Sequence, residues 1–127
     1  MTPQKETIDE KHIIGFTEPV LCTSNGNRIE VRARIDTGAS KSSIDERLAK
    51  ELGLGPVLGE KKIRNAHGSS SRKFVDVTIE LAGRKFTEHF TIADRSSMRF
   101  PVLIGRNILR KGFLIDPKRK ARKVQLP

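Results

Sequence analysis

One stretch of this chain limits its folding choices more than any other. Ile29, Val31, Ala33 and Ile35 alternate with Glu30, Arg32 and Arg34, the period-two pattern of a strand with one face turned inward. The strand runs directly into Asp36-Thr37-Gly38-Ala39-Ser40, with Asp36 on the opposite parity from the apolar positions. A carboxylate at such a strand-to-loop turn can be held by nearby backbone N–H groups. Gly38 lets the main chain approach closely or take positive φ, and the Thr37 hydroxyl can lock the loop. Asp-Thr-Gly is also ordinary turn chemistry, so its context matters. An alternating strand leads in, Ala39-Ser40 extends the motif, and a second block, Val102-Leu103-Ile104-Gly105-Arg106-Asn107, follows in the C-terminal third.

The rest of the chain reads as further strands. His12 to Phe16 is a short one, and Val20-Leu21-Cys22 pairs with the Arg28–Ile35 run across Asn25-Gly26, a dipeptide suited to a hairpin turn that needs positive φ at both central positions. Val75, Val77, Ile79 and Leu81 alternate with Asp76, Thr78 and Glu80. Ala82-Gly83 turns the chain, and Phe86, Phe90 and Ile92 line one face of the return strand. Val102-Leu103-Ile104 reads as a buried strand ended by Gly105, with a helical turn over 107–111 and a last strand at Phe113-Leu114-Ile115, stopped by Asp116-Pro117. A small helix is expected from Ser43 to Gly53: Ser43 and Glu46 have capping-box spacing, Ile44, Leu48 and Leu52 share a face, and Gly53 can end it in the left-handed conformation. Asn65 to Ser71 reads as a polar, flexible loop. The expectation is one all-β domain over 12–117 with one or two short helices, a flexible segment at 1–11 and a basic tail at 118–127.

Composition narrows the function classes. The formal net charge is +10, a balance often met in proteins that contact nucleic acid, ribosomes or anionic surfaces. Part of it sits in one stretch, Lys118, Arg119, Lys120, Arg122 and Lys123, which reads as a solvated tail or a dock for an acidic partner. The absence of Tyr and Trp argues against a base-stacking surface. A single cysteine, Cys22, allows no intrachain disulfide and suits a reducing compartment. With no apolar signal region at the N-terminus and no run long enough to cross a membrane, the expected location is the cytoplasm, with no membrane partner.

The two motifs together resemble the signature segments of retropepsin-like aspartic peptidases. Asp36 to Ala39 resembles the retroviral form, in which Ala follows Gly, and residues 102–109 resemble the segment entering the retropepsin C-terminal helix. More narrowly, Phe100 to Asp116 is similar to the retropepsin-like family associated with the ribosomal-protein glutamate ligase, long labelled an ATP-dependent zinc protease. The resemblance covers roughly residues 12 to 117. It implies a closed β-barrel with half a site per subunit and a C2 homodimer acting on a peptide or protein. It makes Asp36 catalytic, Thr37 the interlocking grip between subunits, and Gly38 the backbone facing substrate, within a supporting loop that continues through Ala39 and Ser40. Leu103, Ile104, Gly105 and Arg106 would brace that loop, and Ala66, His67, Gly68 and Ser69 would form a flap over the cleft. A glutamate ligase or a ribosomal component is an implied partner.

Departures from the retroviral pattern are visible. Ser40 and Lys41 stand where retroviral enzymes carry two acids, so Arg106 needs another partner, with Asp45, Glu46 and solvent as the candidates. The zinc label finds no chemistry here. His12, His67 and His89 have no short spacing to one another or to Cys22, and no His-Glu-x-x-His occurs, so no metal is assigned. No Gly-rich loop ending in Lys-Ser/Thr is present for ATP, and no cofactor is expected. Because the chain has only one Asp-Thr-Gly, a two-carboxylate site requires a second copy. The leading expectation is an aspartic endopeptidase acting through paired Asp36 side chains, one as general base on water and the other as general acid. Its rivals are a non-catalytic peptide or ribosomal-protein binding module on the same fold, and a nucleic-acid or ribosome binder driven by charge.

Overall fold

The computed structural model describes residues 12–120. The segment 1–11 and most of the basic tail, from residue 121 onward, lie outside the described residues. The element order is β1 (Ile13–Ile14), β2 (Thr17–Ser24), β3 (Asn27–Ile35), β4 (Ser42–Asp45), α1 (Glu46–Leu52), β5 (Gly59–Asn65), β6 (Gly68–Leu81), β7 (Arg84–Ala93), β8 (Val102–Ile104), α2 (Arg106–Leu109) and β9 (Leu114–Ile115).

Six strands close on themselves. The hydrogen-bonded order runs β2-β3-β8-β4-β7-β6, and β6 pairs again with β2. Closure removes the open edges that a flat sheet would expose. The inward residues of these strands, with the buried face of α1, form one core that includes Val20, Ala33, Ile35, Ile44, Val77, Ile79, Phe90, Val102 and Ile104. The alternation read from β3 and β6 therefore marks the barrel interior. Both hairpin turns behave as their dipeptides require: Asn25 and Gly26 have φ of 50° and 82°, and Ala82 and Gly83 have 50° and 81°. Strand β5 pairs only with the first half of β6, from Gly59↔Phe74 to Asn65↔Gly68, so this hairpin projects beyond the closed ring.

Two expectations need correction. Residues 43–45 are not helical. Ser42–Asp45 is a strand wedged between β7 and β8, and the helix starts at Glu46, capped by Asp45, whose side chain accepts from the Arg47 N–H. The Ser43/Glu46 capping box is therefore absent, and Ser43 instead lies buried in the sheet. The C-terminal reading holds, with Gly53 at φ 67° receiving the left-handed cap. The polar run 68–71, read as loop, belongs to the 14-residue strand β6. Of the stretch from 65 to 71, only Ala66 and His67 lie between β5 and β6.

The strand order creates the site. β3 and β4 are consecutive in sequence but not neighbours, because β8 lies between them, parallel to β3 (Ile35↔Ile104) and antiparallel to β4 (Ile44↔Val102). The connection over 36–41 must therefore arch across the end of β8.

Candidate active site

The arch is the Asp36 loop, and it is fixed from both sides. Behind Asp36, the Ile35 N–H donates to the Phe16 carbonyl at 2.8 Å, and the Asp36 N–H donates to Ile104 at 2.9 Å. Ahead of it, the Gly38 N–H donates to Asp36 Oδ1 at 2.9 Å, and the Ala39 N–H reaches the Asp36 carbonyl at 3.3 Å. One carboxylate oxygen is thus held by main chain, while Oδ2 has no hydrogen-bond partner among the described residues. Asp36 is half-buried, and Thr37 and Gly38 are exposed. The Thr37 carbonyl is used within the chain, whereas its hydroxyl has no partner among the described residues.

Gly105 is the floor of the arch. A Cβ at this position would stand 2.3 Å from the Lys41 carbonyl oxygen and 2.8 Å from that of Ala39, so only glycine lets the loop lie across the strand end. The Arg106 N–H donates to the Ala39 carbonyl at 2.8 Å, and Arg106 Nη1 donates to the Thr37 carbonyl at 2.8 Å. This settles the partner of Arg106: it is a backbone oxygen of the loop, and neither Asp45 nor Glu46. Asp45 is occupied elsewhere, accepting from the Arg47 N–H through Oδ2 and from the Arg95 N–H through Oδ1 at 2.7 Å.

A polar network beneath the loop ties the Gly105–Asn107 segment to Ser42 and Thr91, which the sequence reading does not single out. Fully buried Ser42 accepts from the Gly105 N–H at 2.9 Å and donates to Asn107 Oδ1 at 2.7 Å. The Asn107 amide donates to the His89 carbonyl at 3.0 Å, and Thr91 donates to the Ser42 carbonyl at 3.3 Å. A buried N–H or carbonyl left unpaired is costly, and this network satisfies the groups that the arch would otherwise strand. Ser42 was hidden because Lys41-Ser42-Ser43 reads locally as the approach to a helix.

Arg95 is the second such residue. Its Nε donates to the Phe100 carbonyl at 2.9 Å and its Nη1 to the Ser43 hydroxyl at 3.2 Å. Burial, then the nearby Arg72 and Arg34, push this guanidinium below the usual arginine value, while the carboxylates of Asp45 and Asp36 pull the other way. The Asp36 carboxylate thus lies within electrostatic range of Arg95.

The supposed flap residues Ala66, His67, Gly68 and Ser69 form the exposed tip of the β5–β6 hairpin. The hairpin is strongly basic, with Lys61, Lys62, Arg64, Arg72 and Lys73 against Glu60. His89 is half exposed. It pairs through Nδ1 with Asp76 Oδ1 at 2.5 Å and packs its ring 4.9 Å from that of Phe74 at the hairpin base. Cys22 is buried, and burial pushes its thiol up to about 12, so it stays protonated and unreactive. Among the described residues, no group of three His, Cys, Asp or Glu side chains is placed to hold a metal, and no helix is long and apolar enough to cross a membrane. An open concavity of about 670 Å³ lies around the β2–β3 hairpin end beside Arg28, Glu80 and Lys85 and includes no residue of the Asp36 loop.

Comparison with known proteins bears on the fold and the family. Residues 50–125 match the model of the RimB-like family, described as the retropepsin-like aspartic endopeptidase RimB. Two curated relatives, each a probable alpha-L-glutamate ligase, come from Shewanella pealeana and Shewanella halifaxensis. Both are 28% identical over 86% of this chain, and the chain spans only 29% of their length. Among solved structures, EIAV protease in complex with an inhibitor is 25% identical with a TM-score of 0.59, covering 75% of this chain and 85% of the protease. Lpg0085 of Legionella pneumophila, a protein of unknown function, superposes with a TM-score of 0.59 at 19% identity, covering 86% of this chain and 95% of its own. Simian foamy virus protease superposes at 0.51 with 16% identity, covering 73% and 92%. The last two show the fold alone.

Proposed function

Since the chain belongs to the RimB-like family of retropepsin-like aspartic endopeptidases, we propose that two copies bring their Asp36 loops together and hydrolyse peptide bonds between them. The observation that carries this reading is the state of Asp36. One oxygen is pinned by the Gly38 N–H, and the other has no partner among the described residues, on an exposed loop braced from behind. Two such carboxylates facing each other cannot both ionise, so the pair holds one proton. The ionised Asp36 takes a proton from a water as that water attacks the scissile carbonyl, and the protonated one delivers its proton to the carbonyl oxygen. On collapse of the tetrahedral intermediate the C–N bond breaks, the amine takes a proton from one Asp36, and a hydroxyl of the intermediate returns a proton to the other, so the dyad again holds one proton. The unpartnered Thr37 hydroxyl supports a grip between subunits, and the basic β5–β6 hairpin supports the role of a flap over an acidic peptide. The relatives named as glutamate ligases support a substrate carrying glutamate, and a functional link to such a ligase.

Asp36→Asn tests the reading. Peptide cleavage should fall at least about 10³-fold, in keeping with the loss of a group that acts as both general acid and general base. The dimer should still sediment as wild type. Cleavage that survives the change would move the chemistry off Asp36.

A second reading, a binding module without hydrolysis, draws on one observation. The family match over 50–125 includes the flap and the brace but not Asp36. It expects wild type and Asp36→Asn to bind acidic peptides equally and neither to cleave them.

A further inference from the structure

Beside the Asp36 loop, between the flap base and α2, lies a cavity of about 230 Å³. Its walls include Lys41, Lys61 and Arg110, with Thr91, Asn107 and His89 between them. Two of its neutral groups are already committed. Asn107 bridges Ser42 and the His89 carbonyl, and Thr91 donates to Ser42. The acid in its lining is committed too: Glu88 is paired with Lys111 at 2.6 Å, and the His89 ring is paired with Asp76 outside the lining. The three cations have no carboxylate within ion-pair range among the described residues. Two of them are nevertheless held in place. Lys61 Nζ rests 4.6 Å from the centre of the Phe74 ring, and Arg110 Nε donates to the Arg106 carbonyl at 3.2 Å.

A concave site lined by cations of one sign focuses field and draws anions into it, and guanidinium and ammonium donors make their strongest hydrogen bonds to ionised oxygens. We propose that this cavity is a specificity subsite that receives one carboxylate side chain of an extended acidic peptide, with Lys41, Lys61 and Arg110 as the residues that read it. Its position favours a peptide side chain over a free anion. Lys41 belongs to the connection that starts at Asp36, and Lys61 lies on flap strand β5, so a strand passing beneath the flap towards Asp36 runs past the cavity mouth. The volume holds one glutamate side chain and not a chain segment. This subsite rests on the peptidase reading for its purpose, but its occupancy does not depend on hydrolysis.

The test is a titration of the Asp36→Asn protein, followed by backbone amide NMR, with capped tetraglutamate, capped tetraglutamine and inorganic phosphate as separate probes. Tetraglutamate should shift the amides of Lys41, Thr91 and Asn107. Its affinity should drop about 5–20-fold on Lys61→Ala or Arg110→Ala, the effect of losing one charge-assisted contact, and recover on Lys61→Arg. Equal binding of tetraglutamine, or affinity indifferent to both alanine changes, overturns the subsite. Phosphate that binds the same amides more tightly than the peptide also overturns it, by making this a free-anion site. Cleavage by the Asp36→Asn protein would sink the peptidase reading alone and leave this result standing.

Discussion

The floor of the candidate site and the hairpin proposed as its cover are built on opposite principles. Beneath Asp36, the main chain meets fixed partners: Asp36 donates to Ile104, Ala39 accepts from Arg106 of α2, and the Ser42 hydroxyl holds the Gly105 N–H. The β5–β6 hairpin, by contrast, leaves the barrel, packs neither face against the core along its outer half, and exposes its tip. The floor derives its order from sterics and buried hydrogen bonds, where a few tenths of an ångström matter. The cover derives its character from charge, which acts at longer range and tolerates motion. A peptidase needs both: carboxylates held within hydrogen-bond tolerance, and a lid that opens for an extended chain.

The sharpest way to break the contrast is Gly105→Ala. The new methyl would meet the Lys41 carbonyl oxygen at 2.3 Å, a clash with main chain on both sides that no side-chain rotation relieves. Loss of about 3 kcal/mol or more is expected, read as a large drop in the denaturation midpoint with activity lost alongside. A mild effect would mean that the arch yields easily, and the rigid-floor argument would fail.

Ser42→Ala should come next. It removes a buried hydroxyl, leaves the Gly105 N–H and the Asn107 side-chain oxygen without their partner, and should destabilise by about 1–3 kcal/mol. It should also lower kcat more than it raises KM, because the loop carrying Asp36 loses a support while the flap is untouched. An equal change in both parameters would show that Ser42 serves the fold and not the loop.

These two residues also mark where sequence reading stops. The alternation of Ile29 to Ile35 and Val75 to Ile79, the Asn25-Gly26 turn, the Gly53 cap and the Asp36 and Gly105 motifs were all visible, because each is a local pattern or a short signature. Strand β4 was not. Ser42-Ser43-Ile44-Asp45 is buried on both faces, so it shows no alternation. Asp45 caps the helix from the position where the spacing pointed to Ser43. The role of Ser42 depends on β8 slotting between β3 and β4, a long-range event that no local window contains. The outer half of β6 was missed for the opposite reason: with neither face in the core, Ser69 to Ser71 have no apolar rhythm to betray a strand.

The smallest expected effect lies in the flap and tests the other half of the contrast. Lys62 is exposed on β5, outside the closed ring and away from the cavity beside Asp36. Lys62→Gln should leave stability within about 0.5 kcal/mol of wild type, as surface changes away from packed features do. Hydrogen exchange supplies the companion measurement. Amides of the hairpin tip should exchange through local opening, at free energies far below the global value, whereas those of Asp36, Gly105 and Arg106 should approach it. If the tip proved as protected as the arch, the hairpin would have to be clamped by something beyond the contacts of a single chain. In a dimer, the facing subunit is the natural source of that clamp, so the same experiment repeated across a dilution series would separate an intrinsically loose cover from one held shut by assembly.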